Sequence, residues 1–180
     1  MSDVQSFRVR PTFVPDGRTS YWDKVAPGHL ILRMQAHGIQ KAFVAKWPNS
    51  HNVTLVFLDL GGNGPQLQIG RPSTIEPVVD LGNDFILDVD PVASALTIHD
   101  PRTGKPGSLC LMPSGWHLMA SSKDRTGFWA NYAINLKTGK IADDPDFSEA
   151  LYFGKAQLLL PSLQGYPPKE FAIISAPKEA

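Results

Sequence analysis

The chain has little cysteine, no net charge and no long apolar run, and each shortage excludes a class of protein. Its single cysteine, Cys110, cannot close an internal disulfide, which excludes a secreted, disulfide-stapled scaffold. Set in Leu109-Cys-Leu-Met112, this thiol reads as a small buried hydrophobe and not as a nucleophile. Seventeen basic residues balance seventeen acidic ones, so the phosphate attraction that dominates nucleic-acid binding has no charge surplus behind it. No stretch reaches the roughly 20 apolar residues that span a bilayer, and the first ten residues lack the apolar core of a signal peptide. The expectation is a cytoplasmic protein without a membrane segment.

Chemical motifs are equally scarce. His29, His37, His51, His99 and His117 form no H-x-H or H-E-x-x-H spacing, and no G-x-S-x-G occurs. Ser114 and His117 are three apart, which on one strand would send them to opposite faces. The glycine-rich stretch at 61–65 follows a strand but opens no helix and precedes no Lys-Ser/Thr pair, so it lacks the makings of a phosphate cradle.

What the chain does have is punctuation. Sixteen prolines and 15 glycines fall at the ends of short apolar runs, a pattern that favours strands over helices. With 180 residues, one domain with a substantial core is expected, residues 1–20 forming an N-terminal arm and 176–180 a polar tail. The clearest signal is Gly127-Phe-Trp-Ala-Asn-Tyr-Ala-Ile-Asn-Leu-Lys-Thr-Gly-Lys-Ile-Ala142. Phe128, Ala130, Tyr132, Ile134 and Leu136 alternate with Trp129, Asn131, Ala133 and Asn135, and Gly139 supplies the turn, so a hairpin is expected. Asp100-Pro-Arg-Thr-Gly-Lys105 has the same turn form as Asn135-Leu-Lys-Thr-Gly-Lys140, a likeness that turn chemistry alone accounts for.

Other segments read similarly. Two strands over 29–36 and 41–47 are preferred to one helix, because Gly38 interrupts and no helical stripe is present. Val53-Thr-Leu-Val-Phe-Leu-Asp-Leu60 reads as a central strand covered on both faces. Strands are also expected over 7–14, 94–99, 155–160 and 170–175, and the adjacent aromatics Tyr21 and Trp22 are expected to anchor the arm in the core. Near 145–152 the period changes to that of a short helix, with Asp144 as N-cap and Pro145 at the first position. The fold expected is an all-β antiparallel sandwich or jelly roll with that one helix, a β-barrel being the alternative.

Two constellations remain. Asp84, Asp88 and Asp90 share one face of a strand, since carboxylates two or four residues apart project together. Hard cations favour such oxygen ligands, so calcium is the one metal to consider; a solvated outer face on a charge-protected edge is the preferred reading. Trp116, His117, Arg125, Trp129, Asn131 and Asn135 combine flat rings with amide and guanidinium donors, the composition of a surface that recognises a sugar or a partner protein.

The leading expectation is a non-catalytic protein acting by surface recognition, as a structural or assembly component or a ligand-binding module. Its partner is another protein, a second copy, or a glycan. The rival is an enzyme on a jelly-roll or barrel scaffold, drawing on His29, His99, His117, Asp84 and Asp88. A single-strand nucleic-acid platform using Trp129 and Tyr132 fails on two counts: these rings alternate in side, and the chain has no basic surplus.

Overall fold

The computed structural model describes residues 17–35, 38–58, 67–90, 95–96, 106–123, 126–142, 147–161 and 167–176. The expected strand at 7–14, the loop at 61–65, the turn at 100–105 and the side chains of His37, His99 and Arg125 lie outside the described residues. The described residues form fourteen strands: β1 (Arg18–Tyr21), β2 (Leu30–Gln35), β3 (Gly38–Lys46), β4 (Val53–Phe57), β5 (Gln68–Gly70), β6 (Pro77–Asp80), β7 (Ile86–Asp88), β8 (Ala95–Leu96), β9 (Leu109–Met112), β10 (Gly115–Lys123), β11 (Trp129–Asn135), β12 (Leu151–Phe153), β13 (Lys155–Leu160) and β14 (Lys169–Ser175). One turn of 3-10 helix, Trp22–Lys24, is the sole helical element among the described residues.

The larger sheet runs β1-β6-β2-β3-β4-β5-β10-β9-β12-β8, with β11 on the other edge of β10, and the smaller runs β14-β13-β7. Among the described residues pairing is antiparallel except where Ser121 of β10 meets Gln68 of β5 in parallel and at an isolated parallel bridge between Lys46 and Lys140. The sheets stack as a sandwich, because one core takes Leu30, Phe43, Val56, Leu118 and Ile134 from the larger and Leu158, Phe171 and Ile174 from the smaller. Each such buried side chain is worth about 1.5–3 kcal/mol over an exposed one.

Strand alternation explains two further clusters. Ile31, Ala42, Val44 and Leu55 point to the opposite side from Leu30, Phe43 and Val56, and there they meet Trp22, Val25 and Val78. Of the two aromatics expected to anchor the arm, Trp22 does so, buried with its Nε1 donating to the Thr74 carbonyl at 2.9 Å; Tyr21 does not, because the last residue of β1 turns its ring to solvent. The expected arm therefore ends in ordered structure, with β1 paired to β6. β4 has one face in each cluster, as its apolar run, interrupted only by Thr54, implies.

The third cluster lies outside β9, β10 and β11, where Cys110, Met119, Ala133 and Tyr152 are covered by Ala142, Phe147 and Ala150. This arrangement corrects the expected helix near 145–152. Residues 147–150 form a turn in which the Ala150 amide donates to the Phe147 carbonyl, and Leu151–Phe153 is a strand paired with both β9 and β8. Helical spacing of Phe147, Ala150 and Leu151 arose by coincidence, since a strand edge offered Leu151 and its neighbours ladder partners that a two-turn helix could not match.

The two-strand reading of 29–47 holds. β2 and β3 pair from Leu30↔Phe43 to Gln35↔Gly38, and Gly38 opens the return strand at φ +138°. The hairpin after β11 also forms. Asn135 Oδ1 accepts from the Lys137 and Thr138 amides, Gly139 adopts φ +67°, and the return bridges Ile134 to Ile141.

Candidate functional site

The register of β10 and β11 places four cross-strand pairs in a row: Lys123↔Trp129, Ser121↔Asn131, Met119↔Ala133 and His117↔Asn135. These alternate with Leu118, Ala120 and Ile134, which face the main core, so the four pairs share the outer face. Of the residues singled out from sequence, His117, Trp129, Asn131 and Asn135 therefore come together on one strip. Trp116 does not. It sits on the inner side against the main core, its ring 5.2 Å from that of Phe153.

At one end of the strip Trp129 is 45% exposed, with Lys123 Nζ 5.3 Å over its ring. The next pair is polar, the Ser121 hydroxyl donating to Asn131 Oδ1 at 2.6 Å. Phe128, although 74% exposed, belongs to the alternate side.

At the other end the amide of Asn135 is committed to structure. Its oxygen holds the 137–138 turn and its Nδ2 donates to the Ser114 carbonyl at 3.0 Å, clamping two loops together. His117 beside it is 3% exposed. A carbonyl can only accept, so the 2.8 Å contact of Nδ1 with Gly115 O assigns the proton to Nδ1 and leaves Nε2 as an acceptor. Burial lowers the pKa of this imidazole, with the Gly115 bond acting weakly the other way, and the neutral ring is favoured.

Nε2 has two distant neighbours, Ser114 Oγ at 3.5 Å and Asn135 Nδ2 at 3.5 Å. This corrects the expectation that Ser114 and His117 project apart. Ser114 is not on the strand but in the Pro113–Ser114 turn between β9 and β10, where Gly115 at φ +106° bends the chain back. The turn brings the serine over the histidine. A cavity of about 290 Å³ opens here, lined by Met112, Pro113, Ser114, His117, Ala142, Ser148 and Glu149.

Cys110, directly opposite His117 on β9, is fully buried. Burial pushes its thiol up to about 11, a hydrogen bond with Tyr152 offsetting part of that rise. The native protein is expected to resist iodoacetamide in mildly alkaline buffer and to be alkylated readily once unfolded, as mass spectrometry of the two samples would register. Rapid native labelling would contradict the inert reading.

The remaining candidates fall elsewhere. Asp84, Asp88 and Asp90 are exposed and alternate with inward Phe85, Leu87 and Val89 along residues 84–90, whose centre is β7, an edge of the smaller sheet. Among the described residues no three His, Cys, Asp or Glu side chains converge to hold a metal ion. His29 Nδ1 contacts Asp80 Oδ1 at 2.9 Å, and Asp80 in turn accepts from the Gly82 amide. Its partners are thus distinct from those of His117. No protein-family model matches this chain, and the searches of curated proteins and of solved structures likewise gave no match.

Proposed function

We propose that this protein acts by surface recognition, binding a protein partner through the strip that β10 and β11 turn outward. Trp129 carries the reading. An indole 45% exposed on a paired strand keeps a large apolar area in water that burial against a partner would recover. Lys123 and Asn131 beside it supply the polar rim that such contacts have around their centre.

Lys123 also favours a protein over a sugar. A sugar ring stacks on a bare aromatic face, and here an ammonium group lies over the indole 5.3 Å from its centroid. A protein contact can use the ring edge and keep the cation.

A photo-crosslinking residue placed at position 129 is expected to trap one discrete partner from native extract, with at least a tenfold loss of adduct when Lys123→Glu reverses the adjoining charge. Diffuse labelling, or a yield indifferent to that reversal, would count against the proposal. Sedimentation across a wide concentration range identifies a second copy as the partner. Glycan-array hits that vanish in Trp129→Ala would replace the protein by a carbohydrate.

A further inference from the structure

A second site lies at the opposite end of the strip, six strand positions and about 20 Å from Trp129. It is built around a polar atom that the protein buries without satisfying well. His117 is 3% exposed, its Nδ1 proton is committed to Gly115 O, and among the described residues its Nε2 lone pair meets two donors, each 3.5 Å away. At that separation a hydrogen bond retains little of its strength, and Asn135 already spends its better contact, 3.0 Å, on the Ser114 carbonyl. A buried acceptor served by two such long contacts is compensated in part, and a closer donor would complete it.

The space from which a donor would come is the cavity itself. Met112, Pro113 and Ala142 supply its apolar lining, and its polar groups among the described residues are His117, Ser114, Ser148 and Glu149. The imidazole nitrogen and the carboxylate can only accept in these protonation states, and the two hydroxyls can do either. Among the described residues that line it, none carries a positive charge. About 290 Å³ accommodates a single small ring or a short alkyl chain with its head group.

We infer that this cavity is a binding site for a small amine, its ammonium group donating to His117 Nε2 and paired with Glu149 while its short apolar body lies against Met112, Pro113 and Ala142. The lowered pKa of His117 keeps the ring in the accepting form that this contact needs at neutral pH. An anionic ligand of the same shape meets a carboxylate and a lone pair, so the site discriminates by sign of charge as well as by size. Nothing in this inference depends on the Trp129 surface.

The probes are benzylammonium, benzyl alcohol and benzoate, which share a ring and differ in head group. Amide chemical shifts of Ser114, Gly115 and Glu149 are followed by nuclear magnetic resonance at neutral pH. Benzylammonium is expected to shift them saturably with a Kd on the order of millimolar, the range open to a ligand of this size. Benzoate should bind at least tenfold more weakly, benzyl alcohol between the two. Glu149→Gln, an exposed substitution that leaves the fold intact, should weaken benzylammonium about tenfold and narrow its lead over benzyl alcohol. Absence of any saturable shift, equal affinity for benzoate, or an unchanged Kd in Glu149→Gln would each overturn the assignment. Loss of binding at Trp129 leaves these outcomes untouched, so the two sites fail or stand separately.

Discussion

Gly139→Ala is expected to destabilise the protein by about 3 kcal/mol or more. The residue sits at φ +67°, where a Cβ costs about 1–2 kcal/mol. The larger part comes from crowding. A Cβ there would fall 2.2 Å from the Gly28 nitrogen and 2.6 Å from the Pro27 carbonyl carbon, both backbone atoms that cannot swing aside. Relief requires the 27–28 turn to withdraw, which strains the Gly28 amide bond to Val44 O at 2.8 Å and the Lys46 amide bond to Gly139 O at 2.9 Å. Each is worth about 1 kcal/mol. Gly127→Ala provides the control, since Gly127 also has positive φ, at +88°, but among the described residues nothing lies within 4 Å of its missing Cβ. Chemical denaturation should show Gly127→Ala losing only the conformational part. Equal losses at the two positions would mean that the close approach of the two turns is not what holds them.

Glu76→Ala is the second large effect, again about 3 kcal/mol, because it strands a cation in the interior. Arg33 is buried at 6% exposure on the Trp22 side of the larger sheet. Its Nε donates to Glu76 Oε1 at 2.9 Å, its Nη2 donates to the same oxygen, and its Nη1 donates to Gln40. The guanidinium also lies 5.6 Å over the Phe57 ring. Removing the carboxylate leaves the charge with only a neutral amide and a ring for company. The double variant Arg33→Met, Glu76→Ala should recover much of the loss, since Met fills the same channel without a charge to desolvate. Denaturation midpoints of the two single variants and the double one close the cycle. Additive losses would show that the pair acts through packing and not through the ion pair.

The fold was legible where side-chain period and turn chemistry agreed. Residues 83–90 illustrate this: Phe85, Leu87 and Val89 point inward and Asp84, Ile86, Asp88 and Asp90 outward, as alternation alone requires. The Asn135 to Gly139 turn was legible for the same reason, because a side chain that accepts two local amides and a residue free to take positive φ act within five positions. The helix near 145–152 was misread because helical spacing over so short a span carries little information, and the β9 edge that claims Leu151–Phe153 comes from 40 residues earlier.

For the site, sequence identified His117, Trp129, Asn131 and Asn135 as polar and aromatic neighbours on two adjacent strands, and their shared face followed from that. It could not sort them by task. Trp116 is one residue from His117 yet serves the core, and Asn135 is spent on its own turn. The Ser114 and His117 pair was missed because both residues were read onto one strand, whereas β10 begins at Gly115 and leaves Ser114 in the turn. Pro113-Ser-Gly115, read as a turn, carried the signal that would have placed the serine above the imidazole.

Composition and alternation by themselves determined that this chain makes short strands, buries its one thiol and leaves no surplus of charge, because those outcomes depend on each residue's affinity for water and on its nearest neighbours along the chain. Which faces meet, which polar groups find partners and where a cavity stays open were decided only by tertiary structure. Register between strands distant in sequence is chosen by the summed packing of all of them, and no local window of residues contains that sum.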